Sequence, residues 1–212
     1  MRPHVIINCA MSADGKIALP SRKQTRISNP EDMKRVYELR NQIDAILVGI
    51  ETVLSDDPKL TVKESIVPDP KQPIRIVLDS HGRIPEDAEV LSSQSPTIIA
   101  VSESCEREID GAETIICGKQ KVDLPELLDI LDKKGIKTLL VEGGETVIWS
   151  FLRQKLANEV YIFVGSMVIG GTQSPTPAGG EGVKNEEDIL PLTLINVSQI
   201  GNGVLLHYGV DK

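Results

Sequence analysis

Short apolar runs alternate along the chain with amphipathic segments. The runs at 5–11, 45–50 and 73–78 are rich in Val, Ile and Leu, which is typical of buried strands. Residues 27–42 and 123–135 instead place their apolar side chains at helical spacing. Strands that alternate with helices indicate a three-layer α/β domain with a mostly parallel sheet.

Local signals predict where these elements begin and end. Ser28 followed by Glu31 indicates a capping box at the start of the first helix. Gly135 follows two lysines and ends the later helix. Near the end of the chain, Asn202 and Gly203 separate two apolar runs, which predicts a C-terminal antiparallel hairpin at one edge of the sheet.

Composition supports a globular protein and narrows its partners. The chain has 212 residues, of which 40% are hydrophobic and 25% charged. This length, without internal repeats or a long polar linker, favours one domain spanning 1–212. The formal net charge of −8 argues against nucleic acid as a partner. An anionic metabolite would need a local cluster of cations or backbone N–H groups.

The cysteines and the apolar runs bear on metal binding and location. Cys9, Cys105 and Cys117 form no Cys-x-x-Cys pair, so the spacing predicts no metal site. An odd number of thiols and no recognisable signal peptide favour a reducing cytoplasm. The run at 5–11 is too short to span a membrane, so no membrane association is expected.

Polar and glycine-rich residues follow each predicted strand. We call the segment that follows each strand its exit. Ligands of open α/β sheets bind beyond the carboxyl ends of the strands, so these exits are expected to lie along one edge of the sheet. In chain order the exits contain Ser12, Asp14 and Lys16; Thr52, Asp56 and Asp57; Asp79, Ser80, His81 and Arg83; Glu142, Gly143, Gly144, Glu145 and Thr146; and Gly170 and Gly171.

The double glycine is the most informative exit. A strand, Gly143 and Gly144, a hydroxyl residue and a helix let backbone N–H groups approach a phosphate. The stretch matches neither a G-x-G-x-x-G fingerprint nor a P-loop. A tight strand-to-helix turn is the alternative. Similarly, Asp56 and Asp57 could form a carboxylate pair, although Asp before Pro is also common turn chemistry.

Together these motifs resemble the pyrimidine reductases of riboflavin biosynthesis. The stretches are SADGKIA, RIS, LR, VGIETVLSDDPKLTV, RIVLDS, VEGGET and VIGG, in that order from Ser12 to Gly171. The resemblance implies a dihydrofolate-reductase-like fold, NADPH as cofactor, a homodimer and reduction of a ribosylamino-pyrimidine 5′-phosphate to its ribitylamino form. The chain lacks the H-x-E and P-C-x-x-C motifs of a zinc deaminase. It therefore resembles the free-standing archaeal and fungal reductases, which act on 2,5-diamino-6-ribosylamino-4(3H)-pyrimidinone 5′-phosphate.

The resemblance also implies a set of site residues. Those expected at the cofactor are Thr52, Asp56, Asp79, Ser80, Gly143, Gly144, Glu145 and Thr146. Those expected at the substrate are Lys16, Arg40, Leu60 and Glu142, with Arg40 facing the 5′-phosphate. Lys16 and Glu142 are also the candidates for orienting the open-chain sugar or relaying a proton.

Two positions depart from the family pattern. Glu145 stands where a third glycine or proline is usual, and a carboxylate near a pyrophosphate is unfavourable unless it points away. Lys63 stands where a phosphate-binding Arg can occur, so the charge is kept without bidentate geometry. We expect Arg83 to be the residue nearest the 2′-phosphate of NADPH.

Several other functions remain open at this point. A reductase of the deaminated uracil counterpart would use the same residues. A dihydrofolate reductase shares the fold and cofactor, but its substrate has no phosphate for Arg40 and Lys63. A nucleotide-binding regulatory domain would not need Lys16 and Glu142, and a purely structural α/β domain would need none of the exits.

Overall fold

A computed structural model describes residues 2–23 and 25–211. Its strands are β1 (His4–Ser12), β2 (Ala45–Gly49), β3 (Ile74–Leu78), β4 (Thr97–Val101), β5 (Glu113–Ile116), β6 (Thr138–Gly143), β7 (Glu159–Gly165), β8 (Leu192–Ile200) and β9 (Gly203–Val210). Its α-helices are α1 (Pro30–Gln42), α2 (Ile50–Asp56), α3 (Leu124–Lys133) and α4 (Glu145–Arg153). No helix within the described ranges is long and apolar enough to cross a membrane.

The chain divides into two compact units. The first contains residues 2–4 and Tyr37–Leu140, and the second contains Val5–Val36 and residues 141–211. The prediction of a single domain stays a prediction.

The first unit is built on parallel strands in the order β5-β4-β3-β2. Every residue of β2 and of β4 is buried, which explains their continuous apolar runs. α3 contributes Leu127, Leu128 and Leu131, each almost fully buried. Burying one such side chain stabilises a fold by about 1.5–3 kcal/mol, so these leucines fix the position of α3 within the unit.

The second unit combines parallel and antiparallel pairing. β1 pairs with β7 in parallel, and β7 pairs with β9, which pairs with β8, in antiparallel fashion. The buried side chains of Ile7, Phe151 and Phe163 belong to its core. The predicted mostly parallel sheet with a C-terminal antiparallel hairpin is confirmed.

Two local predictions differ in detail. The cap of α1 is Asn29, whose Oδ1 accepts the Asp32 N–H at 2.8 Å, because the helix begins one residue later than a Ser28 cap requires. The hairpin turn lies at Gly201 and Asn202, since Gly203 already pairs with Ile200. Gly201 supplies the positive φ of 56° that the turn needs.

Candidate active site

The site residues expected from the sequence fall into two groups. The first unit contains Arg40, Thr52, Asp56, Leu60, Lys63, Asp79, Ser80 and Arg83. The second unit contains Lys16, Glu142, Gly143, Gly144, Glu145 and Thr146.

In the first unit, β2 leads directly into α2, which carries Thr52 half-buried and Asp56 at its end. Asp57 closes the helix in the left-handed region, with φ 42° and its N–H bonded to the Val53 carbonyl. The Asp57 carboxylate also accepts the Glu89 N–H at 2.8 Å. The described residues donate no hydrogen bond to the buried Oδ1 of Asp56. Asp56 therefore retains a buried acceptor for a ligand.

The exit of β3 is shaped by its own side chains. Asp79 is fully buried, and its Oδ2 accepts the Ile84 N–H at 2.8 Å. Gly82 turns the chain between them with a φ of 65°. Ser80 is half-buried, and its Oγ accepts the Val122 N–H at 3.1 Å. Both side chains thus hold the exit in shape, and their assignment to the cofactor stays a prediction.

Arg83 is engaged by a surface ion pair. Its Nη1 lies 2.6 Å from Glu51 Oε1, and the two side chains are 47% and 73% exposed. Exposed ion pairs contribute only about 0–1 kcal/mol. Arg83 can consequently exchange Glu51 for a phosphate at small cost, and its assignment to the 2′-phosphate stays a prediction.

Two cations converge on the ring of Tyr37, which is buried on α1. The Arg40 guanidinium carbon lies 5.5 Å and Lys63 Nζ 5.6 Å from the ring centroid. Arg40 Nη1 also donates to the Thr61 carbonyl at 3.1 Å, which ties α1 to the loop that carries Leu60 and Lys63. Leu60 is 3% exposed and has a left-handed φ of 50°. Arg40 and Lys63, two of the residues expected at the substrate, therefore both lie beside Tyr37.

In the second unit, Asp14 connects the exits of β1 and β7. Its carboxylate accepts hydrogen bonds from the Ser12 hydroxyl at 2.6 Å, the Ile169 N–H at 3.0 Å and the Gly170 N–H at 2.6 Å. These bonds, the Ser12 hydroxyl first, lower the pKa of Asp14 to about 2. Asp14 thus fixes the loop after β7 to the turn after β1.

Lys16 belongs to the same turn. Its backbone N–H donates to Ser12 Oγ at 2.9 Å, and its carbonyl accepts the Ser12 N–H at 2.8 Å. Its half-buried Nζ donates to the Ser174 carbonyl at 3.3 Å, which is a long hydrogen bond. A bound substrate can compete for this ammonium group, but the catalytic assignment of Lys16 stays a prediction.

The double glycine joins β6 to α4. The peptide between Gly143 and Gly144 is cis, and Gly143 has a φ of 125°, a region that favours glycine. Gly144 precedes the helix and has no side chain to cap it. The Val147 N–H donates to the Gly144 carbonyl at 3.0 Å, so the amides left for a ligand are those of Glu145 and Thr146. Glu142 lies half-buried on β6, and Thr146 is exposed in the first turn of α4.

The Glu145 side chain does not project freely from the helix start. Arg22 Nη2 lies 2.9 Å from Glu145 Oε1, and the Glu145 side chain is only 17% exposed. Gly179 N–H donates to the Glu145 carbonyl at 3.3 Å. A Cβ added at Gly179 would lie 2.6 Å from the Glu145 carboxyl carbon. The carboxylate is therefore enclosed between Arg22 and the loop around Gly179.

Three residues of these contacts were not identified from the sequence. Tyr37 had a usable signal, because it precedes Arg40 by three positions on a helix and must share its face. Arg22 and Gly179 had none, since each lies far along the chain from Glu145.

Comparison with known proteins identifies the family. Residues 3–206 match the model described as RibD C-terminal domain. The chain is 41% identical to the 2,5-diamino-6-ribosylamino-4(3H)-pyrimidinone 5′-phosphate reductase of Methanothermobacter thermautotrophicus, over 99% of both proteins. It is 45% identical to the enzyme of the same name from Archaeoglobus fulgidus, over 85% of this chain and 88% of that protein.

Solved structures agree. A deaminase/reductase from Thermotoga maritima superimposes with a TM-score of 0.82 at 25% identity, covering 99% of this chain and 57% of that one. A dihydrofolate reductase from Enterococcus faecalis, complexed with NADP(H), superimposes with a TM-score of 0.53 at 11% identity, over 99% and 97% of the chains. The latter likeness concerns the fold alone and confirms the expected dihydrofolate-reductase-like class. The chain belongs to the RibD C-terminal domain family, as its sequence motifs had indicated.

Proposed function

We propose that this protein reduces the ribosylamino group of 2,5-diamino-6-ribosylamino-4(3H)-pyrimidinone 5′-phosphate to the ribitylamino form, with NADPH as the reductant. Two relatives that match over at least 85% of this chain and of their own length carry that substrate in their names. The deaminated uracil substrate and a dihydrofolate reductase are less favoured alternatives, because neither appears in those names.

The pair of cations on Tyr37 carries this proposal. Arg40 and Lys63 lie about equally far from the Tyr37 ring, at 5.5 and 5.6 Å, and both were expected at the 5′-phosphate. A phosphate dianion is stabilised by two converging cations, and Arg can donate two hydrogen bonds to it. A phosphorylated pyrimidine substrate would therefore engage both residues.

The residues expected at the cofactor fit a nicotinamide dinucleotide chemically. Oδ1 of Asp56 is a buried acceptor to which the described residues donate no hydrogen bond, and it would accept a hydroxyl or carboxamide donor. A Cβ built on Gly143 has no described atom within 4 Å, so a phosphate can approach the backbone there. When bound, NADPH supplies the hydride that reduces C1 of the opened sugar.

The protein's own contribution is binding, orientation and proton control. Opening the sugar gives an imine, and its nitrogen must receive a proton when C1 accepts the hydride. Lys16 and Glu142 are the proposed groups for orienting the open-chain sugar and moving that proton, directly or through water. Asp14 supports Lys16 by fixing the turn that carries it, through three hydrogen bonds of 3.0 Å or less.

Oxidation of NADPH by the purified protein tests the proposal. The diamino-pyrimidinone phosphate, its deaminated uracil counterpart and dihydrofolate are assayed in parallel, each with NADPH and with NADH. We expect turnover with the first substrate and NADPH. Turnover with dihydrofolate alone, or with the uracil compound alone, would contradict the substrate assignment. Faster turnover with NADH would contradict the cofactor assignment.

We also propose that the protein forms a homodimer and resides in the cytoplasm. β8 exposes Leu192, Leu194, Ile195 and Val197, an apolar row unusual for an edge strand facing water. A second copy covering β8 would bury this row. Sedimentation velocity should give a dimer for the wild type and a monomer for Leu194→Asp. A monomeric wild type at micromolar concentration would refute the dimer. The three free cysteines support a reducing compartment.

A further inference from the structure

The start of α4 presents an electrostatic conflict. The proposed function places the pyrophosphate of NADPH beside Gly143 and Gly144, where the first amides of a helix attract anions. Glu145 is the first residue of that helix. A carboxylate in this place is attracted by the same amides and would repel the incoming phosphates.

The contacts of Glu145 resolve the conflict. Arg22 Nη2 lies 2.9 Å from Glu145 Oε1, and the two side chains are 61% and 17% exposed, respectively. The carboxylate is thus covered on one side by a cation that is itself largely in solvent. On another side lies Gly179, where an added Cβ would come within 2.6 Å of Glu145 Cγ, Cδ and Oε2.

The enclosing loop is itself attached to α4. Gly179 N–H donates to the Glu145 carbonyl at 3.3 Å. The next residue, Gly180, has a φ of 80°, and an added Cβ there would lie 2.9 Å from Trp149 Cδ1. Trp149 is four residues after Glu145 and therefore lies on the same face of the helix. Two consecutive glycines let the loop lie close against that face, which leaves the carboxylate little freedom except toward Arg22.

We propose that Arg22 is a positioning residue for cofactor binding, which acts by holding the Glu145 carboxylate away from the amides at the start of α4. Without Arg22, the carboxylate would become an intramolecular competitor for those amides, present at a high effective concentration. The inference rests on the proposed function, because it needs an anionic cofactor at the double glycine. It concerns Arg22 and Gly179, neither of which was among the expected site residues.

A direct contact between Arg22 and the cofactor is the competing explanation. Arg22 is exposed enough to reach a phosphate itself. The two explanations differ when Glu145 loses its charge. If Arg22 acts through Glu145, its removal has no further effect once residue 145 is neutral, whereas a direct contact is lost in either background.

The experiment is a double-mutant cycle read out by the Kd for NADPH. Arg22→Ala should raise the Kd about fivefold at low salt, the size expected for a partly exposed charge contact. Glu145→Gln should leave it unchanged or lower it, and the double variant should match Glu145→Gln within about twofold. The Arg22→Ala effect should shrink as salt is added, because the repulsion is screened. Lys23→Ala, which removes a neighbouring exposed cation, should bind like the wild type.

Gly179→Ala gives an independent test that keeps Arg22. Its methyl group would displace the Glu145 side chain, so the Kd should rise, and adding Glu145→Gln should reverse most of the rise. An equal Arg22→Ala effect in both backgrounds would overturn the inference and indicate a direct contact. No effect of Arg22→Ala on a wild type that binds NADPH would also overturn it. Failure of the wild type to bind NADPH would instead refute the proposed cofactor.

Discussion

The two units of the molecule are braced at opposite ends of their strands. In the first unit the brace is Arg75, near the amino end of β3, which is fully buried. Its guanidinium donates to the carbonyls of Glu89, Ser92 and Ser95 and to Ser92 Oγ, the last at 3.1 Å. At the other end of β3 the contacts are individual ones: Asp79 Oδ2 accepts the Ile84 N–H at 2.8 Å and Ser80 Oγ accepts the Val122 N–H at 3.1 Å.

In the second unit the brace lies at the carboxyl ends. Asp14, in the turn after β1, binds the hydroxyl of Ser12 and the backbone of Ile169 and Gly170 after β7. The residue that fixes the exits is therefore two positions from Lys16, a proposed catalytic residue. In this unit the structural residue Asp14 and the proposed catalytic residue Lys16 lie in one turn. In the first unit, Arg75 lies near the amino end of β3, whereas the residues expected at the cofactor follow its carboxyl end.

This difference predicts how substitutions will divide between stability and activity. In the first unit, changing Arg75 should lower mainly stability, and changing a residue expected at a ligand should lower mainly activity. In the second unit, one substitution should affect both.

The largest effect on stability is expected from Arg75→Met. The variant keeps most of the side-chain volume but removes the guanidinium donor from the Ser92 and Ser95 carbonyls, which costs about 1–3 kcal/mol for each group that stays unsatisfied. The Glu89 carbonyl still accepts the N–H and the hydroxyl of Ser92. We expect the free energy of unfolding to fall by about 3 kcal/mol or more in denaturant titrations. The kcat and KM of the folded fraction should match the wild type.

Arg2→Ala is the matched control, because it also removes an arginine but only from an exposed pair with Asp129. It should leave the unfolding midpoint nearly unchanged. A loss of activity in Arg75→Met without a loss of stability would break the separation proposed for the first unit.

Arg40→Ala should have the largest effect on substrate binding. Hydrogen bonds to a charged group contribute about 1.5–3 kcal/mol, so the KM for the phosphorylated substrate should rise about 10- to 100-fold. The loss of the bond from the charged guanidinium to the Thr61 carbonyl should also lower the free energy of unfolding, by about 1.5–3 kcal/mol. Lys63→Ala should give a smaller rise, since a lysine lacks bidentate geometry. An unchanged KM in both variants would contradict the proposal that the 5′-phosphate binds beside Tyr37.

Asp14→Asn should affect both stability and activity. The folded-state pKa of Asp14 is about 2, below its ordinary value of 3.8. A depressed pKa stabilises the folded state above the unfolded value, and this stabilisation is lost as the pH falls from about 4 to about 2. The melting temperature of Asp14→Asn should therefore lie below that of the wild type at neutral pH, and the difference should shrink below pH 4.

The rate should fall in the same variant, because the turn that carries Lys16 loses its attachment to the loop after β7. Asp110→Asn, at an exposed aspartate, serves as the control and should change neither quantity. A lowered melting temperature with full activity would show that the turn braces the fold without positioning Lys16.

How far the sequence predicted the fold depended on the range of the interactions. β2 is a continuous apolar run and β4 is one after Thr97, so both were predictable from local pattern. The hairpin turn was misplaced by one residue because Gly203 is needed for another reason. A Cβ there would lie 2.2 Å from Phe163, so packing and not the turn selects that glycine.

In the candidate site, too, contacts between residues close in the sequence were predictable, and contacts between distant residues were not. Arg40 and Tyr37 are neighbours on one helix, so their contact follows from spacing. The ion pair between Arg22 and Glu145 joins residues from distant parts of the chain. No periodicity or motif records such a pair, although the departure at Glu145 indicated that some compensation was needed.

The smallest change in stability is expected from substitution of Asp56. The neighbouring Asp57 should respond in the opposite way, in both stability and NADPH binding. Oδ1 of Asp56 is buried, and no described residue donates to it, which is unfavourable in the absence of a ligand. Asp57 instead accepts the Glu89 N–H at 2.8 Å and closes α2. Asp56→Asn should therefore leave stability unchanged or raise it by up to about 1 kcal/mol, while weakening NADPH binding.

Asp57→Ala should do the reverse. It removes the hydrogen bond to Glu89 and places a methyl side chain at a φ of 42°, so it should cost about 1–2 kcal/mol of stability without changing the Kd for NADPH. Denaturant titrations and fluorescence titrations with NADPH measure both quantities. If Asp56→Asn destabilised the protein and bound NADPH normally, Oδ1 of Asp56 would have a structural role and would not bind the cofactor. Asp56 would then be a structural residue at the carboxyl ends of the strands in the first unit, as Asp57, Asp79 and Ser80 already are.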